Sequence, residues 1–173
     1  MTNRIFAGIA FVFSLIIYVS TMAPTTSFWD CGEFIACSYT LGVPHPPGTP
    51  LYLLIGNVFS NLLFFIPDVG ARVNLISPIV SALSVMFLYL IIIEFINKWF
   101  KYKDDKIISI STYLSALIGS LLFAFTDSQW FNAVEAEVYG MSTFFTAIVV
   151  WLALRWSNYR GEKGNVSFII LIS

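Results

Sequence analysis

Apolar residues gather in blocks along this chain, separated by short polar stretches. Residues 5–22, 74–96, 107–126 and 139–156 each come close to, or exceed, the roughly 20 apolar residues a helix needs to cross a bilayer. A further apolar run opens near Val166 and stops at Ser173, too early to span, so the sequence reads as the N-terminal part of a longer protein. The expected fold class is all-α: a polytopic membrane helix bundle. Arg4 followed by an apolar core also fits a signal peptide. Pro24, directly after Ala23, disfavours cleavage there, so the first stretch is expected to stay as an anchor.

One stretch breaks the pattern. Residues 51–66 are apolar but short, and as a helix they reach about 24 Å against a hydrocarbon core of roughly 30 Å. Asn57, Ser60 and Asn61 fall three and four residues apart, on one helical face. That pattern suits a helix lying in the interface better than one crossing it. The basic residues decide between the two, because Lys and Arg of short loops stay in the cytoplasm. If residues 51–66 do not cross, Arg4 and the loops "KWFKYKDDK" and "RWSNYRGEK" share the cytoplasmic side. Eight of the nine basic residues then obey the rule, with Arg72 the exception. If they do cross, only Arg4 and Arg72 obey it. The non-crossing reading makes residues 23–73 one outer loop with juxtamembrane helices. It also places Asp30 and Glu33 on the same side as Glu135 and Glu137 of the next outer loop, "TDSQWFNAVEAEV".

Composition agrees with a membrane protein. The chain is 58% hydrophobic and 11% charged, where a soluble domain carries about 25% charged residues. A net charge of −1 offers no basic surface for nucleic acid. Cys31 and Cys37, six apart, point to nearly opposite faces of a helix, so neither a disulfide nor a metal pair is expected. Asn165-Val166-Ser167 is a glycosylation sequon at a cytoplasmic border, expected to be unused.

The candidate chemistry lies in "SFWDCGEFIACSYTLGVPHPPGTP". Ser27 fits an N-cap, with Asp30 three residues on completing a capping box. The cap leaves Glu33 unexplained. Asp30, Glu33 and Cys37 share a helical face, and two carboxylates side by side shift each other's pKa so that one can act as a base near neutral pH. The proline-rich "GVPHPPGTP" is a rigid connector with turns at Gly42 and Gly48. His45 within it is either a turn residue or a donor to an anionic or sugar ligand. With no second histidine, a histidine metal cluster is excluded and no metal is expected. Arg72 either snorkels to headgroups or pairs with a lipid phosphate. Trp130 and Tyr139 suit an aromatic belt, and Trp130 is also a candidate substrate contact. Glu135 and Glu137, two apart, would face different sides of a helix, one toward water and one toward a cavity.

Three motifs together are specific: "FWDCGEF", "HPPGTPLY" and "AEVYG". With "ARVNLIS" they resemble a family of large membrane protein O-mannosyltransferases. Its animal members act on IPT domains of plexins and related receptors, and its bacterial members were long catalogued as uncharacterised. The likeness runs from about Pro24 to Phe145. It implies a GT-C-like architecture, whose first outer loop carries a catalytic acid. It also implies transfer of a sugar, mannose by this likeness, from a polyprenyl-phosphate donor to a Ser or Thr hydroxyl of an outer-side acceptor protein. Asp30, Glu33, His45, Pro46, Pro47, Gly48, Arg72 and Glu137 fall on the family's motif positions, and either Asp30 or Glu33 can occupy the catalytic one. Glu135 does not obviously belong to the motif. No organic cofactor is implied beyond the lipid-linked donor. The membrane would be the inner or plasma membrane of a bacterium, or the endoplasmic reticulum of a eukaryote, with the active side extracytoplasmic. The piece alone is expected to be inactive. Two other classes fit less well. A transporter or flippase of lipid-linked substrates would need ionisable residues in mid-span, and Glu94 lies near a helix end. A non-catalytic subunit would use the same outer loop only to dock a partner.

Overall fold

The computed structural model describes residues 2–46, 48–99 and 106–159. Every regular element among them is a helix: α1 Thr2–Thr21, α2 Cys31–Thr40, α3 Pro50–Leu62, α4 Val69–Asn74, α5 Ile76–Trp99, α6 Lys106–Ala124, α7 Asp127–Ala133 and α8 Val138–Tyr159. Four segments are long and apolar enough to cross a membrane: Thr2–Thr21, Val69–Trp99, Ile107–Ala124 and Val138–Ser157. The apolar run from Val166, the sequon at Asn165 and most of the basic loop residues lie outside the described residues.

Buried hydrogen bonds fix how the long helices run. At one end of the bundle the Tyr18 hydroxyl of α1 donates to the Ala124 carbonyl of α6 at 2.8 Å. At the other, the Tyr89 hydroxyl of α5 donates to Asn3 Oδ1 of α1 at 2.8 Å. Helices α1 and α5 are therefore antiparallel. Lys98 Nζ near the end of α5 meets Ser157 Oγ near the end of α8 at 3.3 Å, while Ser77 at the start of α5 meets the backbone of Glu137, so α5 and α8 run parallel. Small residues let the helices approach closely. Ala7, Ala10, Ala82, Ala116 and Ala124 are buried with Tyr18, Val85, Tyr89 and Ile93 in one core, as expected where lipid supplies no hydrophobic drive between helices. At Gly140 of α8 an added Cβ would lie 2.8 Å from Ser81 Oγ of α5.

The segment between α1 and α5 leaves and returns at the same end. Helix α3 has 13 residues, about 20 Å of rise, too short to cross. It packs on α2 through Gly56, where an added Cβ would sit 2.6 Å from Ser38 Cβ. Asn57 Nδ2 donates to the carbonyls of Ser38 and Tyr39 at 2.9 and 3.2 Å. The polar face read at Asn57, Ser60 and Asn61 is thus partly bonded within the protein. The opposite face, with Leu51, Leu54, Val58 and Leu62, is exposed. A second core joins α2, α3, α4, α5 and α8 at this end, with Cys31, Phe34, Tyr52, Val73, Ile76 and Met141.

Asn74 holds these pieces together and is itself fully buried. Its Nδ2 donates to the carbonyls of Ala23 and Thr25, both at 2.9 Å. Its Oδ1 accepts from Ala136 N at 3.0 Å and, more weakly, from the Cys31 thiol at 3.7 Å. Sequence reading placed Asn74 only as the first residue of a span and missed this role; a lone amide at the head of an apolar run was the available signal. Asn74→Ala leaves the buried Ala136 N–H without a partner, at a cost of about 1–3 kcal/mol, and frees the less buried carbonyls of Ala23 and Thr25. In the full-length protein in detergent, the expected outcome is a large drop in the thermal midpoint. Asn74→Asp, which keeps the acceptor and loses the donors, is expected to fall in between.

Candidate functional site

Helix α2 begins at Cys31, and Asp30 precedes it as the N-cap residue in a helical conformation. The capping box expected at Ser27 does not form: the Asp30 side chain makes no cap hydrogen bond. The side-chain cap of this kind is at Asp68, whose Oδ1 accepts from Ala71 N at 2.9 Å. Trp29, just before Asp30, has φ +57° and is 83% exposed. A bulky residue in the left-handed region costs of order 1–3 kcal/mol, and such strain gathers at functional sites. Here it swings the chain so that Asp30 enters α2 with its carboxylate turned outward. At the other end of α2, Leu41 takes the left-handed C-cap at φ +55°, and Gly48, at φ +71°, closes the turn of the connector.

The connector then folds back over α2. Glu33 Oε1 accepts from the His45 backbone N–H at 2.8 Å, and Glu33 Oε2 pairs with His45 Nδ1 at 2.6 Å. The same imidazole presents Nε2 at 3.9 Å from Asp30 Oδ2. Its ring also packs on Phe34 with centroids 6.1 Å apart. These contacts act on ionisation. The hydrogen bond and charge of Glu33 push the His45 pKa up, with a smaller push from Asp30 and Glu137. The His45 bonds in turn lower Glu33. His45 thus keeps its proton to higher pH than an isolated imidazole. Stability from the pair is present below the unfolded histidine value and is lost as pH rises through the folded one. Both groups are well exposed, so the pair serves orientation more than stability.

Behind this exposed layer lies a buried acid. Glu137 is 5% exposed, and its pKa is raised to about 6, by burial first and then by the charges of Glu135 and Asp30. The backbone N–H of Val138 and the charge of His45 partly offset this. Ser77 Oγ holds the backbone of Glu137, at 3.4 Å from its N and its O. Both acids of "VEAEV" are buried, against the expectation that one would face water. Glu135 is 2% exposed, and its Oε1 has no hydrogen-bond partner among the described residues. The cause is local: Ala136 N is tied to Asn74, which pulls the whole loop inward. Tyr52, fully enclosed beside this loop, has its hydroxyl pKa pushed up by burial.

Two expected site residues do other work. Arg72 donates from Nε to the Ile66 carbonyl at 2.6 Å and from Nη1 to that of Ser60 at 2.9 Å. From Nη2 it reaches Phe64 and Pro67 at 3.3 Å each. It therefore closes the C-terminal end of α3, where carbonyls lack helical partners, and no hydrogen bond or ion pair joins it to Asp30, Glu33, His45 or Glu137 among the described residues. Trp130 packs edge-on against Tyr18 at 6.2 Å and against Phe125 at 5.4 Å, as part of the bundle end.

Ligand atoms of Asp30, Glu33 and His45 lie within 4.8 Å of one another, close enough to share a cation. The lone-histidine argument did not foresee such a mixed set, although exposed acidic groups commonly lie this close with no ion. Two carboxylates and an imidazole fit a hard divalent ion such as Mg²⁺ or Mn²⁺. A proton on His45 balances the same charge.

A family model described as Protein O-mannosyl-transferase TMEM260 N-terminal domain matches residues 30–173. The chain is similar to Protein O-mannosyl-transferase tmem260 of Dictyostelium discoideum, 33% identical over 91 residues, which cover 50% of this chain and 11% of that protein. It is also similar to Protein O-mannosyl-transferase TMEM260 of Mus musculus, 35% identical over 85 residues, covering 49% of this chain and 11% of the mouse protein. The matched stretch thus spans about a ninth of each relative. No solved structure matches.

Two outcomes follow from the geometry. Arg72→Lys places a point charge where a fork holds several carbonyls. It should lower the thermal midpoint of the full-length protein while leaving the KM for any anionic lipid unchanged; a raised KM with an unchanged midpoint would restore Arg72 to the site. Glu137→Gln removes a carboxylate whose folded pKa lies above its unfolded value. The wild-type protein loses stability as pH rises through about 6, so the variant should be more stable at pH 7.5 by about 2 kcal/mol. That advantage should shrink toward pH 5, as read from thermal midpoints across the range.

Proposed function

The chain belongs to the protein O-mannosyl-transferase TMEM260 N-terminal domain family, and from that premise we propose that it forms the acid-bearing part of a membrane O-mannosyltransferase. The donor is a mannose on a polyprenyl phosphate, and the acceptor is a Ser or Thr hydroxyl of a protein on the outer side. The architecture is of the GT-C kind. Sidedness follows from charge: Arg4, Lys98 and Arg155 lie at the bundle end opposite Asp30, and the positive-inside rule places that basic end in the cytoplasm.

One observation carries the reading. Asp30 has an exposed carboxylate with no cap hydrogen bond, 3.9 Å from an imidazole that Glu33 orients and whose pKa Glu33 raises. These are the two groups that glycosyl transfer from a lipid phosphate requires. Asp30 takes the proton of the acceptor hydroxyl as its oxygen bonds to the anomeric carbon. The bond from that carbon to the phosphate oxygen breaks, and the phosphate departs with the electron pair. A phosphate leaving group needs no strong acid, and His45 in its protonated form stabilises the developing charge. Glu33, with both oxygens engaged by His45, is a positioning residue and not the base. Glu137, buried behind the cluster, borders the site where a sugar hydroxyl would be held.

Asp30→Asn in the full-length protein is expected to abolish mannose transfer, with expression and thermal midpoint kept. Turnover at the wild-type rate would remove Asp30 from the chemistry.

A further inference from the structure

We infer that the apolar cavity between the end of α2 and the start of α3 holds the first isoprene units of a polyprenyl-phosphate donor. This subsite rests on the donor chemistry proposed above. The cavity has a volume of about 330 Å³, and Leu41, Val43, Pro44, Pro50, Leu53 and Leu54 form its walls. None of these six side chains carries a polar atom. Pockets of this size and lining hold small apolar ligands.

Its position gives the occupant a head and a tail. His45 opens a tight turn in which its carbonyl accepts from Gly48 N at 3.0 Å. Pro44 and Gly48, on either side of that turn, both line the cavity. The imidazole on the same turn is held by Glu33, whose hydrogen bond and charge raise its pKa. A basic group and an apolar cavity therefore lie on one turn of chain. An anionic head on the first and a hydrocarbon tail in the second match an amphiphile whose phosphate is directly linked to its chain.

The mouth points to the same kind of occupant. Leu41 and Leu54 are more than half exposed and Val43 is 90% exposed, so the rim is apolar where a site for a water-soluble sugar nucleotide would be polar. A second cavity of about 210 Å³ lies against Tyr52, Val138, Met141 and Phe145. It shares Thr49 and Pro50 with the first but does not touch Pro44 or Gly48. It is therefore the poorer continuation of a ligand whose head rests on His45.

The test uses the full-length protein in phosphatidylcholine nanodiscs and a polyprenyl phosphate with a diazirine in its first isoprene unit. On illumination the label is expected on residues 41–54, displaced by unmodified polyprenyl phosphate and not by added phosphatidylcholine. Label confined to other segments, or displaced equally by phosphatidylcholine, would overturn the assignment. Leu54→Trp narrows the cavity from an exposed position that tolerates the larger ring. It should raise the KM for a long-chain mannosyl donor about tenfold, and leave the KM for methyl mannosyl phosphate, which carries no isoprene unit, unchanged. An equal change for both donors, or none for the long-chain donor, would also refute the subsite. Photolabelling needs no turnover, so a wild-type protein that takes the label but transfers no mannose would refute the proposed function and leave the subsite standing.

Discussion

One buried amide sets the geometry of the outer end. An asparagine side chain has two donors and two acceptor positions, and Asn74 uses all four, on Ala23, Thr25, Ala136 and Cys31. These partners belong to the exit of α1, the start of α2 and the loop before α8, while Asn74 itself sits at the entry to α5. The Ala136 N–H and the Cys31 thiol are buried partners, while the Ala23 and Thr25 carbonyls lie nearer the surface. The amide therefore does more than add affinity between segments, because an arrangement without it strands the Ala136 N–H away from water. Asp30 and Glu137, 107 positions apart in sequence, feel each other's charge because this residue fixes both of their loops.

With that frame in place, the outer loop can fold back on itself. Close contact at Gly56 and the Asn57 bonds to Ser38 and Tyr39 press α3 onto α2. Arg72 then gathers the carbonyls after α3 and ends it before it can grow into a span. The connector between α2 and α3 is left short and proline-stiffened, so it must double back over α2. That path brings His45 onto Glu33 through both its backbone and its ring. Two bonds to one carboxylate fix both the position of the turn and the orientation of the imidazole. The exposed pair adds little to stability, but it presents Nε2 toward Asp30.

Much of this was legible in the sequence, for physical reasons. Helices in lipid must satisfy their own backbone, so four long apolar runs imply helices, and the distribution of Lys and Arg made residues 51–66 stand out as different. Asp30, Glu33 and His45 could be picked out as polar residues in an apolar setting, and they do come together. What could not be read was tertiary. Nothing local indicates that Asn74 meets Ala136, that Glu135 turns inward with Glu137, or that Arg72 finds carbonyls six to twelve residues before it. The capping box at Ser27 was misread because spacing alone cannot report the left-handed turn at Trp29, which displaces the helix start to Cys31.

The degree of hydrogen bonding separates the polar residues into two sorts. Buried polar groups in a finished scaffold are bonded, and Asn74 and Arg72 meet that standard with four bonds each. Asp30 carries an exposed carboxylate with no cap hydrogen bond, facing His45 Nε2 at 3.9 Å. Glu137 is buried, and the Val138 N–H and the charge of His45 offset only part of what burial and the neighbouring acids do to raise its pKa. The N-terminus of α8 offers a favourable dipole to a nearby carboxylate, yet burial and like charge outweigh it. A chain selected only to fold would replace such a group with an amide or an apolar side chain, since its ionised form is destabilising above pH 6. Under-bonded acids grouped around an oriented imidazole support the proposed chemistry, and four bonds to backbone carbonyls give Arg72 a structural part.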